Sequence, residues 1–273
     1  MDFSKYLIVT DLDGTFVHQG KVVPKNIEAV RRFAAGGGVF TLATGRIFET
    51  VPRALPQPQG ILNAPAILCN GAYLYDFEKK QTFAESFIPA KTAADVVNFI
   101  KAHCPEVPLR VSTPRGIRLD TPRGRVIEDL ALYSEARIEI APMAAWRLND
   151  WYKLVLRDEP EALARVRTLF EEHLSGKGLI CCFSGKHFLE IQPDFCNKGE
   201  GLRKLLALAP YRDRTVIACG DFENDIELLQ AADIAVCPAN AMESVKAIAD
   251  YTLCDCSEGL IAEVISMIEA RKI

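Results

Sequence analysis

No apolar run in the 273-residue sequence approaches the roughly 20 residues that a membrane-spanning helix needs. A secretory leader is not expected either, because the short apolar stretch Tyr6–Thr10 meets Asp11 and Asp13 at once. Charge of one sign is missing too. Thirty-two Lys and Arg stand against 36 Asp and Glu, and the net charge of −4 gives no field for holding nucleic acid or an anionic membrane. Histidine is scarce, with four in all, so Cys254-Asp255-Cys256 finds no second Cys/His pair at zinc-finger spacing. The nine cysteines are an odd number in a chain too large to need disulfides, and several lie in apolar runs. They read as small buried hydrophobes kept reduced in the cytoplasm. With 49% hydrophobic and 25% charged residues, disorder is excluded and about two folded domains are expected.

Both ends of the chain alternate strands with amphipathic helices. Tyr6–Thr10 reads as a strand buried on both faces, Pro24–Ala35 as a helix stopped by glycines, and residues 39–43 and 65–69 as further strands. The pattern returns with a helix over 199–208, a strand over 215–219 and a helix over 225–232. A strand over 234–236, a helix from 241, a strand over 251–253 and a last helix from 259 complete it. Such alternation predicts βαβ crossovers and one parallel sheet with helices on both faces. The middle differs, with hairpin-like strands and two helices over 90–102 and 161–174. Its last hairpin pairs 178–183 with 187–191 across Ser184-Gly185-Lys186. It reads as an α+β domain over 84–190, inserted into an α/β core formed by 1–83 and 191–273.

Four polar clusters stand at strand ends, where ligands gather in open α/β sheets. Asp11-Leu12-Asp13-Gly14-Thr15 follows the first strand, and its two carboxylates suit a hard cation and a nucleophile with an acid/base partner. Thr44-Gly45-Arg46 offers a hydroxyl and backbone amides to a phosphate. Asn197-Lys198-Gly199 sets an ammonium at a helix start, and Gly220-Asp221 with Asn224-Asp225 forms a second acidic cluster. Each alone has a plain structural explanation as a solvated turn, a capped helix or a surface lysine. Four together, at ends that one sheet gathers, do not.

In this order, with Asn70-Gly71-Ala72 before the insertion, the clusters resemble the haloacid dehalogenase-like phosphohydrolase superfamily and within it the Cof-type phosphatases, over nearly the whole chain. The resemblance implies a Rossmann-like parallel-sheet core with an inserted α+β cap of type C2. It further implies a Mg²⁺-dependent phosphatase that hydrolyses phosphate monoesters of small metabolites, such as sugar phosphates, through an aspartyl-phosphate. Asp11 would be the nucleophile and Asp13 the general acid/base. Thr44, Gly45, Lys198 and Asn224 would bind phosphate, and Asp11, Asp221 and the Asp13 carbonyl would bind metal. Asp225 would orient Lys198 or a metal-bound water. The expected partner is a small phosphorylated metabolite, with no nucleic acid or membrane, and the protein is expected as a monomer or small homo-oligomer in the cytoplasm. A phosphomannomutase-like phosphotransferase and a catalytically silent binding protein of the same fold are the alternatives.

In the cap, Arg110, Arg115, Arg118, Arg123 and Arg125 crowd one stretch. They are read as a solvated, charged meander, with contact to a second anionic group of the substrate as the alternative. Trp146 and Trp151 read as core residues rather than a stacking platform.

Overall fold

The structure, a computed structural model, describes residues 1–122, 124–133 and 136–273. They separate into two compact units, Met1–Glu85 with Asn197–Ile273, and Ser86–Cys196.

The first unit is built on a five-stranded, all-parallel sheet. Its order is Tyr251–Leu253, Ile234–Pro238, Thr215–Cys219, Tyr6–Thr10, Val39–Leu42. Tyr6–Thr10 is flanked by strands on both sides and carries a nearly unbroken apolar sequence because both of its faces are covered. Leu7, Val9, Val216 and Ala218 belong to the apolar cluster shared with helices Lys198–Leu206 and Ile226–Gln230. Helix Pro24–Ala35 starts with proline at its first position and buries Ala29, Val30 and Phe33. It packs on strand Val39–Leu42 and on helix Leu260–Glu269. The carboxyl ends of the central strands lead directly into the segments around Asp11, Thr44 and Asp221.

One strand departs from the expected parallel order. Ala66–Leu68 touches the main sheet by a single parallel bridge, Ala43 to Ile67, and otherwise pairs antiparallel in a three-stranded sheet with Tyr73–Asp76 and Gln81–Glu85. The cause is local: Cys69, Asn70 and Gly71 all take positive φ, and this tight reversal sends the chain straight back alongside its own strand.

The second unit carries a six-stranded sheet in the order Ile138–Ile140, Gly116–Leu119, Leu109–Thr113, Lys153–Leu156, Phe188–Pro193, Leu179–Gly185. All its pairs are antiparallel except the first. Val111, Leu154, Leu156, Leu189 and Ile191 form an apolar cluster with helices Ala90–His103 and Pro160–Leu174. A third helix, Val126–Leu132, was not legible in the sequence. The unit ends at Cys196, six residues beyond the expected 190, because Phe188–Pro193 is paired along its length within this sheet.

The arginine stretch is a solvated meander only in part, with Arg115 exposed and Arg125 half-buried. Arg110 and Arg118 are buried, Arg118 by ion pairs to Asp150 and Glu139 and Arg110 over the Tyr133 ring, with a 2.7 Å hydrogen bond to its hydroxyl. Arg125 pairs with Glu159 at 2.5 Å, the Arg115 amide donates to the Thr113 hydroxyl in the hairpin turn, and Arg123 lies outside the described residues. The buried guanidiniums of Arg110 and Arg118 are compensated by an aromatic ring and by acids. Trp146 and Trp151 are core residues, edge to face, each indole N–H donating to a main-chain carbonyl.

Candidate active site

Asp11 leaves strand Tyr6–Thr10 buried, its amide donating to the Cys219 carbonyl of the neighbouring strand. That bond holds the first acidic segment beside the one that follows Cys219. Gly14 follows with φ 92°, and a Cβ there would lie 2.5 Å from Asp221 Oδ2, so only glycine lets the two acidic segments meet. Thr15 donates its hydroxyl to Asp221 Oδ1 at 2.5 Å.

Lys198 closes this arrangement. Asn197 caps its helix by accepting from the Glu200 amide, and the fully buried Lys198 Nζ donates to Asp11 Oδ1 at 2.6 Å and to Asp225 Oδ1 at 2.5 Å. The second oxygen of Asp225 accepts the amides of Asp221 and Phe222 at 2.9 and 3.0 Å. Asp225 thereby fixes the lysine with one oxygen and the acidic turn with the other.

Thr44 and Asn224 are linked through Asn70, to which the sequence reading gave no role. The Asn70 amide donates to the Thr44 carbonyl, and its side-chain oxygen accepts from Asn224 Nδ2 at 3.2 Å. The next residue explains the tripeptide 70–72: a Cβ on Gly71 would lie 2.1 Å from the Asn197 carbonyl oxygen, so the turn presses against the start of the lysine helix. Thr44 is buried, and its hydroxyl accepts from the Arg46 amide. Gly45 sits between them, half-buried.

Asp13 is engaged differently. Its carboxylate is half exposed and paired bidentately with Arg46, at 2.6 Å from Nε and 2.7 Å from Nη2, while Arg46 Nη1 donates to the Thr50 carbonyl. The sequence reading placed Arg46 within its phosphate cluster without this partner. Two contacts between residues 33 apart in sequence leave no local pattern to read.

Asp11, Asp221 and Asp225 are buried with ligand oxygens within 4.8 Å of one another. Burial pushes the Asp11 carboxyl well above the usual range against the opposing charge of Lys198, and the charges of Asp225, Asp221 and Asp13 add to the rise. Burial, then the charge of Asp225, lifts Asp221 to about 7. For Lys198, burial acts downward, but Asp11 and Asp225 together hold it above the ordinary lysine range. One ammonium therefore faces three carboxylates, a deficit of positive charge in a dry, all-oxygen setting. These donors fit a hard divalent cation such as Mg²⁺.

A sequence profile of the haloacid dehalogenase-like hydrolases matches residues 8–265. The chain is 30% identical over 271 residues to the pyridoxal phosphate phosphatase YbhA of Escherichia coli, covering 95% of this chain and 97% of that one. It is 27% identical to the phosphatase YwpJ of Bacillus subtilis, covering 89% and 93%. The crystal structure of a haloacid dehalogenase-like hydrolase from Bacteroides thetaiotaomicron superposes with a TM-score of 0.78 at 25% identity, covering 96% and 98%.

Proposed function

This chain belongs to the haloacid dehalogenase-like hydrolases and is a phosphoric monoester hydrolase, and from that premise we propose a Mg²⁺-dependent phosphatase of small phosphorylated metabolites working through an aspartyl-phosphate. The observation that carries the reading is the buried Lys198 held between Asp11 and Asp225, with Asp221 beside them. Asp11, Asp221 and the main-chain carbonyl of Asp13 would hold the Mg²⁺, whose charge would offset the carboxylates and steady the phosphoryl oxygens.

Asp11 attacks the phosphorus, and the bond from phosphorus to the ester oxygen breaks. Asp13 gives its proton to the departing alkoxide. Lys198, anchored by Asp225, and the Thr44 hydroxyl, the Gly45 amide and the Asn224 side chain bind the phosphoryl oxygens as their charge redistributes. Asp13, now a base, takes a proton from the water that attacks the aspartyl-phosphate. Asp11 is released as a carboxylate and inorganic phosphate departs. Before either proton transfer Asp13 exchanges its bidentate contact with Arg46 for the substrate. The inserted unit, 86–196, would act as the cap that selects the leaving group. The activity of the Escherichia coli relative makes pyridoxal phosphate a first substrate to try, beside sugar phosphates.

The test is hydrolysis of p-nitrophenyl phosphate. Activity should vanish on chelation and return with Mg²⁺, and Asp11→Asn should lower kcat by about 10⁴-fold or more. An Asp11→Asn enzyme of undiminished kcat rules out the covalent route.

A further inference from the structure

A second group of metal-ligating side chains lies in the same unit, built from residues that the phosphatase chemistry does not use. His18, Asp255 and Cys256 place a ring nitrogen, a carboxylate oxygen and a thiol within 4.8 Å of one another. His18 sits at the end of the hairpin strand Val17–His18, paired with Lys21–Val22 across Gln19-Gly20, both at positive φ. This two-residue hairpin packs on the turn Cys256–Glu258. Asp255 caps that turn, its Oδ1 accepting from the Ser257 amide and hydroxyl, so the carboxylate is oriented before any ligand arrives.

The His18–Cys256 hydrogen bond has a length that a shared metal ion would also set. His18 Nδ1 lies 3.5 Å from Cys256 Sγ. A tetrahedral zinc ion, with bonds of about 2.3 Å to sulfur and about 2.0–2.1 Å to nitrogen, sets those two atoms about 3.5–3.6 Å apart. The donor set is also unlike the oxygen-only site at Asp11. Thiol and imidazole favour zinc, cobalt or copper over Mg²⁺.

We propose that His18, Asp255 and Cys256 form a binding site for a zinc-class divalent cation, with solvent as fourth ligand, separate from the Mg²⁺ site. The proposal does not depend on the phosphatase reading. Binding converts the Cys256 thiol to a thiolate and releases its proton to solvent. The site adjoins the catalytic loop through Asn240, whose side chain accepts from the Cys256 amide and donates to the Gly14 carbonyl, each at 2.9 Å.

Titration of the purified protein with Co²⁺ tests it without reference to activity. The expected result is one equivalent giving tetrahedral d–d absorption and a near-ultraviolet thiolate-to-cobalt band, both displaced by Zn²⁺, beside any Co²⁺ taken by the oxygen site. Cys256→Ser should abolish the thiolate band while keeping the wild-type thermal transition, and His18→Ala should weaken Co²⁺ binding at least tenfold. Cys254→Ser and Asp11→Asn should keep the band, setting aside the neighbouring thiol and the oxygen site. Absence of a band in the wild type, its survival in Cys256→Ser, or unchanged affinity in His18→Ala overturns the assignment.

Discussion

Among the described residues, two buried lysines sit against carboxylates, one in each unit, and they behave in opposite ways. In the core unit Lys198 serves Asp11 and Asp225 with Asp221 close by, and the carboxyls of Asp11 and Asp221 are pushed up. In the inserted unit Lys153 meets Glu190 at 2.6 Å. Burial pushes that carboxyl up as well, but Lys153, the Ser184 hydroxyl and the charge of Arg110 prevail and hold it below the usual glutamate range. Burial is common to both, so the balance of charge makes the difference. A matched pair is a structural device, whereas a surplus of buried carboxylate keeps a place for a cation and for an anionic substrate that arrives with it.

The largest break in this comparison comes from replacing each lysine by methionine. Lys198→Met should reduce kcat by about 10³-fold, since the group proposed to bind the transferring phosphoryl is lost. Lys153→Met should instead act on the fold, costing about 1–3 kcal/mol in urea unfolding, because the buried Glu190 loses its ammonium and keeps the Ser184 hydroxyl and the charge of Arg110 as support. Exchanging both partners, Lys153→Met with Glu190→Leu, should recover most of that loss, and a double variant as unstable as the single one would refute a matched pair.

The pH response sharpens the contrast. Asp221 has a folded pKa raised to about 7 from 3.8, so its contribution to metal-free stability is full at low pH and is lost as pH rises through about 7. Glu190 has a lowered folded pKa, so its contribution is full above the usual glutamate value of 4.5 and is lost as pH falls through the lower folded one. The metal-free protein should therefore lose thermal stability between about pH 5 and about pH 8. Mg²⁺ should restore more at the higher pH, by about 2.7 kcal/mol at a hundredfold excess over Kd. Melting curves with and without Mg²⁺ at both pH values measure this, and an equal gain at both would contradict the carboxylate surplus.

The smallest effect belongs to the exposed pair. Arg46→Met should change stability by less than about 1 kcal/mol, since the Asp13 carboxylate is half in solvent. Unfolding midpoints of this variant set the floor against which Lys153→Met is judged.

Periodicity in the sequence was enough to read Tyr6–Thr10 and Pro24–Ala35 to their ends, since a strand buried on both faces and a proline-started, glycine-stopped helix leave local marks. Ala66–Leu68 was found as a strand but misplaced in its sheet, because the reversal that decides its partner depends on backbone conformation at Cys69 and Asn70. The arginines of the inserted unit looked like a charged surface because composition does not tell which face of a sheet is covered.

The sequence by itself determined the family, the split α/β organisation and the four clusters that supply Asp11, Thr44, Lys198 and Asp221, because strand ends and the chemistry of short motifs are local properties. Only the tertiary structure decided which charges meet. It set Lys198 against Asp11, 187 positions away, gave Asp13 to Arg46, matched Lys153 with Glu190, and brought His18 to Cys256 across 238 positions. Electrostatic balance and metal geometry depend on distances of a few ångströms, and chain folding, not spacing along the sequence, sets those distances.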